Sequence, residues 1–241
     1  MVIMRSNLER VYRRGHFYKL LLALCLLVMA SFAFPSVTWM GHLGFGLIAL
    51  LLTQLVRIRK CFTFQDRNYQ ILAIIALLTQ LLWLLTPMSW QVSGVPLVVS
   101  WSLLVGWTVV RLVRRLASEQ CVNDSVLMGA AAGYLLLGLT AGLVMSGIET
   151  IQPGSFKPLL IPGHHALGDV NVLQTTPVFA ELNYFAFICL TTVGFGDITP
   201  VQPLARMASV TTSVAGTLYV VAVMGILIGR YGTGVADRAE Q

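Results

Sequence analysis

Six stretches of this chain, residues 20–34, 38–56, 70–86, 95–111, 125–147 and 204–229, are built mostly from Leu, Val, Ile, Ala and aromatic residues with almost no charge. About 20 such residues in a helix reach across about 30 Å of hydrocarbon, where every backbone amide must find its partner within the protein. The rest of the chain cannot dress this bulk for water, since 56% of its residues are hydrophobic and 11% are charged. The sequence therefore predicts an all-α integral membrane protein with six transmembrane helices. The first stretch is short and follows Arg5, Arg10, Arg13, Arg14 and Lys19. A cleaved signal sequence ending near Ala30 to Phe34 stands as the alternative to a retained helix.

Charge supports the six crossings. With the N-terminus in the cytoplasm, only Lys157 and Arg206 of the 16 Lys and Arg residues fall outside. Arg57, Arg59, Lys60, Arg67, Arg111, Arg114, Arg115, Arg230 and Arg238 join the N-terminal group inside, which obeys the positive-inside rule. Both termini are thus expected in the cytoplasm, and the formal charge of +6 reflects a lipid bilayer as partner and no nucleic acid. Trp39 and Trp90 fit an interfacial belt. Cys25, Cys61, Cys121 and Cys189 avoid the expected external loops and have no metal-ligand spacing.

The chain divides into a basic cytosolic arm (1–19), a four-helix domain (20–116) and a second unit (117–241). In that unit an outer helix (125–147) places Gly129 with Gly133, and Gly138 with Gly142, at the four-residue spacing that admits a close neighbour. An outer loop (148–176) follows, long enough to suggest function. Thr176 and Pro177 then give a helix-start signal for a short helix (177–191), with Glu181 soon after, near the positive end of the helix dipole. This apolar run is too short to span, and another span (204–230) follows closely. It is expected to enter from outside and return: a re-entrant helix.

The returning strand is "TTVGFGD", Thr191 to Asp197. Non-helical backbone at membrane depth must be buried in protein or line water. Gly194 and Gly196, alternating with Val193 and Phe195, let successive carbonyls face one way. One such row cannot surround an ion; four around an axis can replace a cation's water shell.

This heptapeptide, its short helix and the apolar helix after it resemble the potassium channel family, whose two-helix pore module residues 125–231 resemble as a whole. The resemblance implies a tetrameric pore in a bacterial inner membrane, with a pore helix (177–191), a selectivity filter (192–197) and an inner helix (204–230). It implies potassium as permeant ion, held by the backbone of Thr192, Val193, Gly194, Phe195 and Gly196 and by the Thr192 hydroxyl. It places Asp197 behind the filter, braced by Tyr184. Phe195 stands where tyrosine is commoner, and Ile188 where some members carry an acid, so two polar struts are missing.

Gly216 occupies the place of the family's hinge glycine, with helix packing as its plainer role. Helical counting from there puts Thr217, Val220, Met224 and Ile228 on one face, expected to line the cavity and close it by dewetting. Strong voltage gating is not expected. Moving one charge through the field is worth about 2.3 kcal/mol per 100 mV, and the fourth span has no Arg or Lys from Gln91 to Val110. Only ten residues follow Tyr231, so internal ligand control is expected to need a separate regulatory subunit. His164 and His165, adjacent in the outer loop, titrate in the right range for an external proton sensor if they are more than solvated loop.

Cys25, His42 and Arg111 make no catalytic constellation in the first four spans, so the chain is not expected to be an enzyme and needs no cofactor. The expectation is a homotetrameric potassium-selective channel. A weakly selective cation channel and a non-conducting regulatory channel subunit are the rivals.

Overall fold

The computed structural model describes residues 2–32, 47–48, 71–72, 74–76, 78–79, 94–117, 123–159 and 176–239. Most of the expected span at 38–56 and much of that at 70–86 lie outside the described residues. So do Trp39, His42, Trp90, Cys61, Cys121, His164 and His165.

Helix α1, Val2–Phe32, joins the expected basic arm and first span in one element, whose apolar part is His16–Phe32. Helix α2, Gly94–Ala117, runs past the expected end at 111 to carry Arg114 and Arg115. Helix α3, Asp124–Ile151, is capped by Asn123, whose side chain accepts from the Val126 N–H at 3.1 Å, satisfying one orphan amide of the first turn. It extends four residues beyond the expected 147. Helix α4 is the short one, Thr176–Leu190. The last helix begins as α5, Pro203–Leu218, with proline in its first turn where no amide is needed. It continues as a π-helical segment, Tyr219–Met224, and ends as α6, Gly225–Ala239. Among the described residues two helices are long and apolar enough to cross a membrane, Asp124–Ile151 and Pro203–Gly232.

Helix α3 is the hub, and its glycines explain how. A side chain at Gly129 would strike the Tyr18 ring of α1; at Gly133, the Tyr219 hydroxyl; at Gly138, the Phe187 ring; at Gly142, the Asn183 amide. The expected close approach of another helix is thus mainly the reception of four large side chains, from three elements, into notches left by missing Cβ atoms. Two cores result. One joins α1, α2 and α3 through Leu21, Leu104, Leu112, Leu136 and Leu139, all nearly or fully buried. The other gathers Met145, Ile148, Leu182, Phe185 and Ile198 around the outer end of α4.

Two short strands complete the outer side. β1, Phe156–Lys157, pairs antiparallel with β2, Thr199–Pro200, placing Phe156 opposite Pro200. The stretch expected as outer loop, 148–176, therefore holds the last turn of α3 and an ordered clasp onto the chain just past Asp197.

Candidate functional site

Helix α4 delivers the chain to the segment 191–197, and the join is specific. The Thr191 N–H still bonds the Phe187 carbonyl, at 2.9 Å. Then Thr192 N–H donates to Cys189 O and Val193 N–H to Ile188 O, each at 3.1 Å. This nested pair is the Schellman ending, which requires a left-handed residue at its turning point. Thr192 supplies it, at φ 59°. Glycine normally holds that position, and a β-branched residue there is strained.

Left-handed backbone recurs at Gly194 (φ 60°) and Gly196 (φ 79°), while Val193 and Phe195 between them are not left-handed. Alternating handedness turns successive peptide groups toward the same side. The sequence marks the two glycines; it gives no sign at Thr192, where only the two-residue period, counted backwards, points to the same geometry.

Residues 191–197 are all exposed in the single chain. Phe195 is 71% exposed, and no atom lies within 4 Å of where a side chain would stand on Gly194 or Gly196. An irregular strand, set between apolar helices, thus lies on the surface of the single chain.

Above the strand, the Tyr184 hydroxyl donates to Asp197 Oδ2 at 2.6 Å, and Asp197 Oδ1 accepts the Ile198 N–H at 3.0 Å. The phenol hydrogen bond holds the Asp197 carboxyl below the usual carboxylate range. Ile198 then plunges into the outer core, and β2 meets β1. Phe156, almost fully buried, sets its ring edge-on to Phe185 of α4 at 5.5 Å. Behind it, the buried Glu149 accepts the Gly154 N–H at 2.6 Å through Oε1 and the Phe156 N–H at 3.0 Å through Oε2. Val201 N–H to Ser155 O, at 2.7 Å, closes the clasp. The strand is thus hung from both ends, by the helix ending below and the clasp above. Sequence reasoning missed Glu149, although a lone acid in the last turn of an apolar helix, five residues before a glycine, was a usable signal.

Residues 166–231 match the family model of an ion channel. No curated protein and no solved structure matches the chain. The ion channel domain so defined takes in α4, the strand and the last helix as far as Tyr231, and supports ion channel activity.

Within this channel domain the last helix departs from the expected continuous 204–230. Tyr219, whose hydroxyl reaches the Ala130 carbonyl of α3, and Leu227, in the core of α1–α3, are both buried. On an uninterrupted α-helix they would lie about 80° apart; the π turn takes up one extra residue and brings them to within about 20°. The same insertion breaks the expected cavity stripe. Thr217 and Val220 are exposed, but Met224 is turned against the α1–α3 core, and Ile228, though exposed, has rotated with it. The face of Thr217 continues instead through Gly225 and Gly229, both exposed, with nothing closer than 3.9 Å to a would-be side chain. Gly216 is buried against the Leu190 carbonyl, where any side chain would clash. Its observed part is close packing against the end of α4.

Proposed function

We propose that the chain is one subunit of a homotetrameric, potassium-selective channel that conducts passively across a bacterial inner membrane, both termini in the cytoplasm. The observation that carries this reading is the left-handed backbone at every second residue, 192, 194 and 196, in an exposed strand at the end of a short apolar helix. Such a strand presents a row of backbone oxygens to one side. Four copies around an axis make a ladder of oxygen rings able to replace the hydration shell of a dehydrated cation. Val193, Gly194 and Phe195 contribute carbonyls to it, and Thr192 contributes a carbonyl and a hydroxyl at the inner end. Fourfold closure covers the strand that one subunit leaves bare, which is the condition for irregular backbone within a membrane. The C-terminal end of α4 points its partial negative charge toward the space beneath, favouring a cation there.

Potassium is the permeant ion in this reading, and Asp197 with Tyr184 braces the outer end. Spans one to four do not form a strong voltage sensor. Phe195 favours a second reading, weak cation selectivity, because its exposed ring has no hydroxyl to bond behind the filter. The reversal potential of the purified protein in planar bilayers, potassium on one side and sodium on the other, separates the two. A strongly potassium-directed reversal is expected. A reversal near zero means conduction without selection, and absence of current under all conditions points to a silent subunit.

A further inference from the structure

We propose that Tyr134 and Tyr219 are positioning residues that tie the π turn of the last helix to the foot of the filter. Tyr219 opens the π turn. Its ring is buried, and its hydroxyl donates to the Ala130 carbonyl of α3 at 2.7 Å, in the notch left by Gly133. The ring lies 5.7 Å from that of Tyr134, tilted by 48°. Tyr134 in turn donates its hydroxyl to the Leu190 carbonyl at 3.3 Å. Leu190 is the last helical residue before Thr191, two positions from the strained Thr192. Gly216, three residues before Tyr219, packs on that same carbonyl. One carbonyl at the base of the filter is therefore held from two sides, by the last helix directly and through a pair of phenols.

A π turn is a register fault, and faults of this kind are frequent at functional sites. The Tyr219 amide bonds the Ala215 and Gly216 carbonyls, four and three residues back, whereas the Gly225 amide reaches five residues back to Val220, so the change of register lies between Tyr219 and Gly225. Converting the turn to α-helix rotates everything beyond it by about 100°. The Tyr219–Ala130 bond fixes where the fault sits, and the contact with Tyr134 carries any shift of it to Leu190. Movement of the inner helix end and geometry of the lowest ion site are thereby coupled through two hydroxyls that touch no ion.

This inference rests on the filter reading above, and its test separates the two. The full-length protein is melted in detergent in sodium-only and in potassium-only buffer, and the potassium-dependent rise in Tm is recorded, since a ion bound only by the folded state raises its stability. Tyr134→Phe, Tyr219→Phe and the double variant are compared with Tyr231→Phe. Tyr231 also links the last helix to α3, through a 2.7 Å bond to Asp124, but at the inner end, away from the relay. Expected is a wild-type rise that either relay variant cuts to less than half, the double variant losing no more than the larger single loss, and Tyr231→Phe lowering both melts equally. Relay variants that lower both melts equally, leaving the rise intact, would assign the phenols to packing alone and overturn the proposal, as would strictly additive losses. A wild-type protein without any rise overturns the filter reading and the relay with it, and that failure is visible before any variant is made.

Discussion

Thr192 carries the sharpest conflict in the molecule, because the helix ending that begins the strand 191–197 demands a left-handed residue and the sequence supplies a β-branched one. Left-handed backbone costs an ordinary residue about 1–2 kcal/mol, and such strain persists at functional sites when something there requires the side chain. Thr192→Gly is therefore expected to raise the melting temperature in sodium while abolishing potassium selectivity in bilayers; Thr192→Ser, which keeps the hydroxyl, retains selectivity. A glycine variant that selects as well as wild type would show that the hydroxyl binds nothing. At the other end, Asp197 is held ionised by the Tyr184 phenol. A carboxyl whose native pKa is depressed contributes its bond fully above the unfolded value of about 3.9 and loses it as pH falls through the lower native value. Selectivity is thus expected to stay flat as external pH drops from neutral to about 5 and to fail only below about 4. Tyr184→Phe should move that failure upward. A change centred near neutral pH would instead implicate His164 and His165.

At the scale of elements, much was legible because hydropathy and punctuation are local. The apolar run after Thr176 and Pro177 gave the short helix to within a residue of Thr176–Leu190, and the Gly194 and Gly196 alternation gave the unusual strand. What was not legible depends on distant partners. The clasp needs Glu149 to meet amides in a segment that reads as loop, and the π turn accompanies the burial of both Tyr219 and Leu227 against neighbouring helices, which no helical count along the last span can contain. The break has a direct consequence. In a cysteine-free background, thiol reagents applied to open channels should modify cysteines placed at Thr217, Gly225 and Gly229 and spare one at Met224; modification at Met224 with protection of both glycine positions would restore the uninterrupted stripe. The clasp is tested by Glu149→Gln. An amide turns a donor toward backbone N–H groups that the carboxylate had satisfied, and each buried group left unpaired costs about 1–3 kcal/mol. The expected result is a lower melting temperature in both sodium and potassium, since Glu149 holds the fold of the outer mouth.

Seen as a whole, the subunit displays two kinds of unpartnered surface, and they do not argue equally for assembly. The last helix exposes Met207, Val210, Val214, Leu218 and Val221 along one side, but apolar side chains lose nothing by facing lipid, so this stripe does not by itself require a neighbour. The strand from Thr191 to Asp197 does, because it is exposed at every residue and hydrocarbon offers irregular backbone no bond. Association should therefore follow the strand more than the stripe. Native mass measurement of the purified protein is expected to give four times the subunit mass of 26.4 kDa, with potassium slowing dissociation because only the closed ring binds the ion. Val214→Ala should keep that potassium effect. Gly194→Ala should lose it: a side chain there meets no atom within 4 Å, yet the residue sits at φ 60°, so the defect would be one of backbone conformation and not of crowding. A tetramer equally stable in sodium and potassium, and indifferent to Gly194→Ala, would locate the assembly energy in the helices and leave the strand without the role assigned to it.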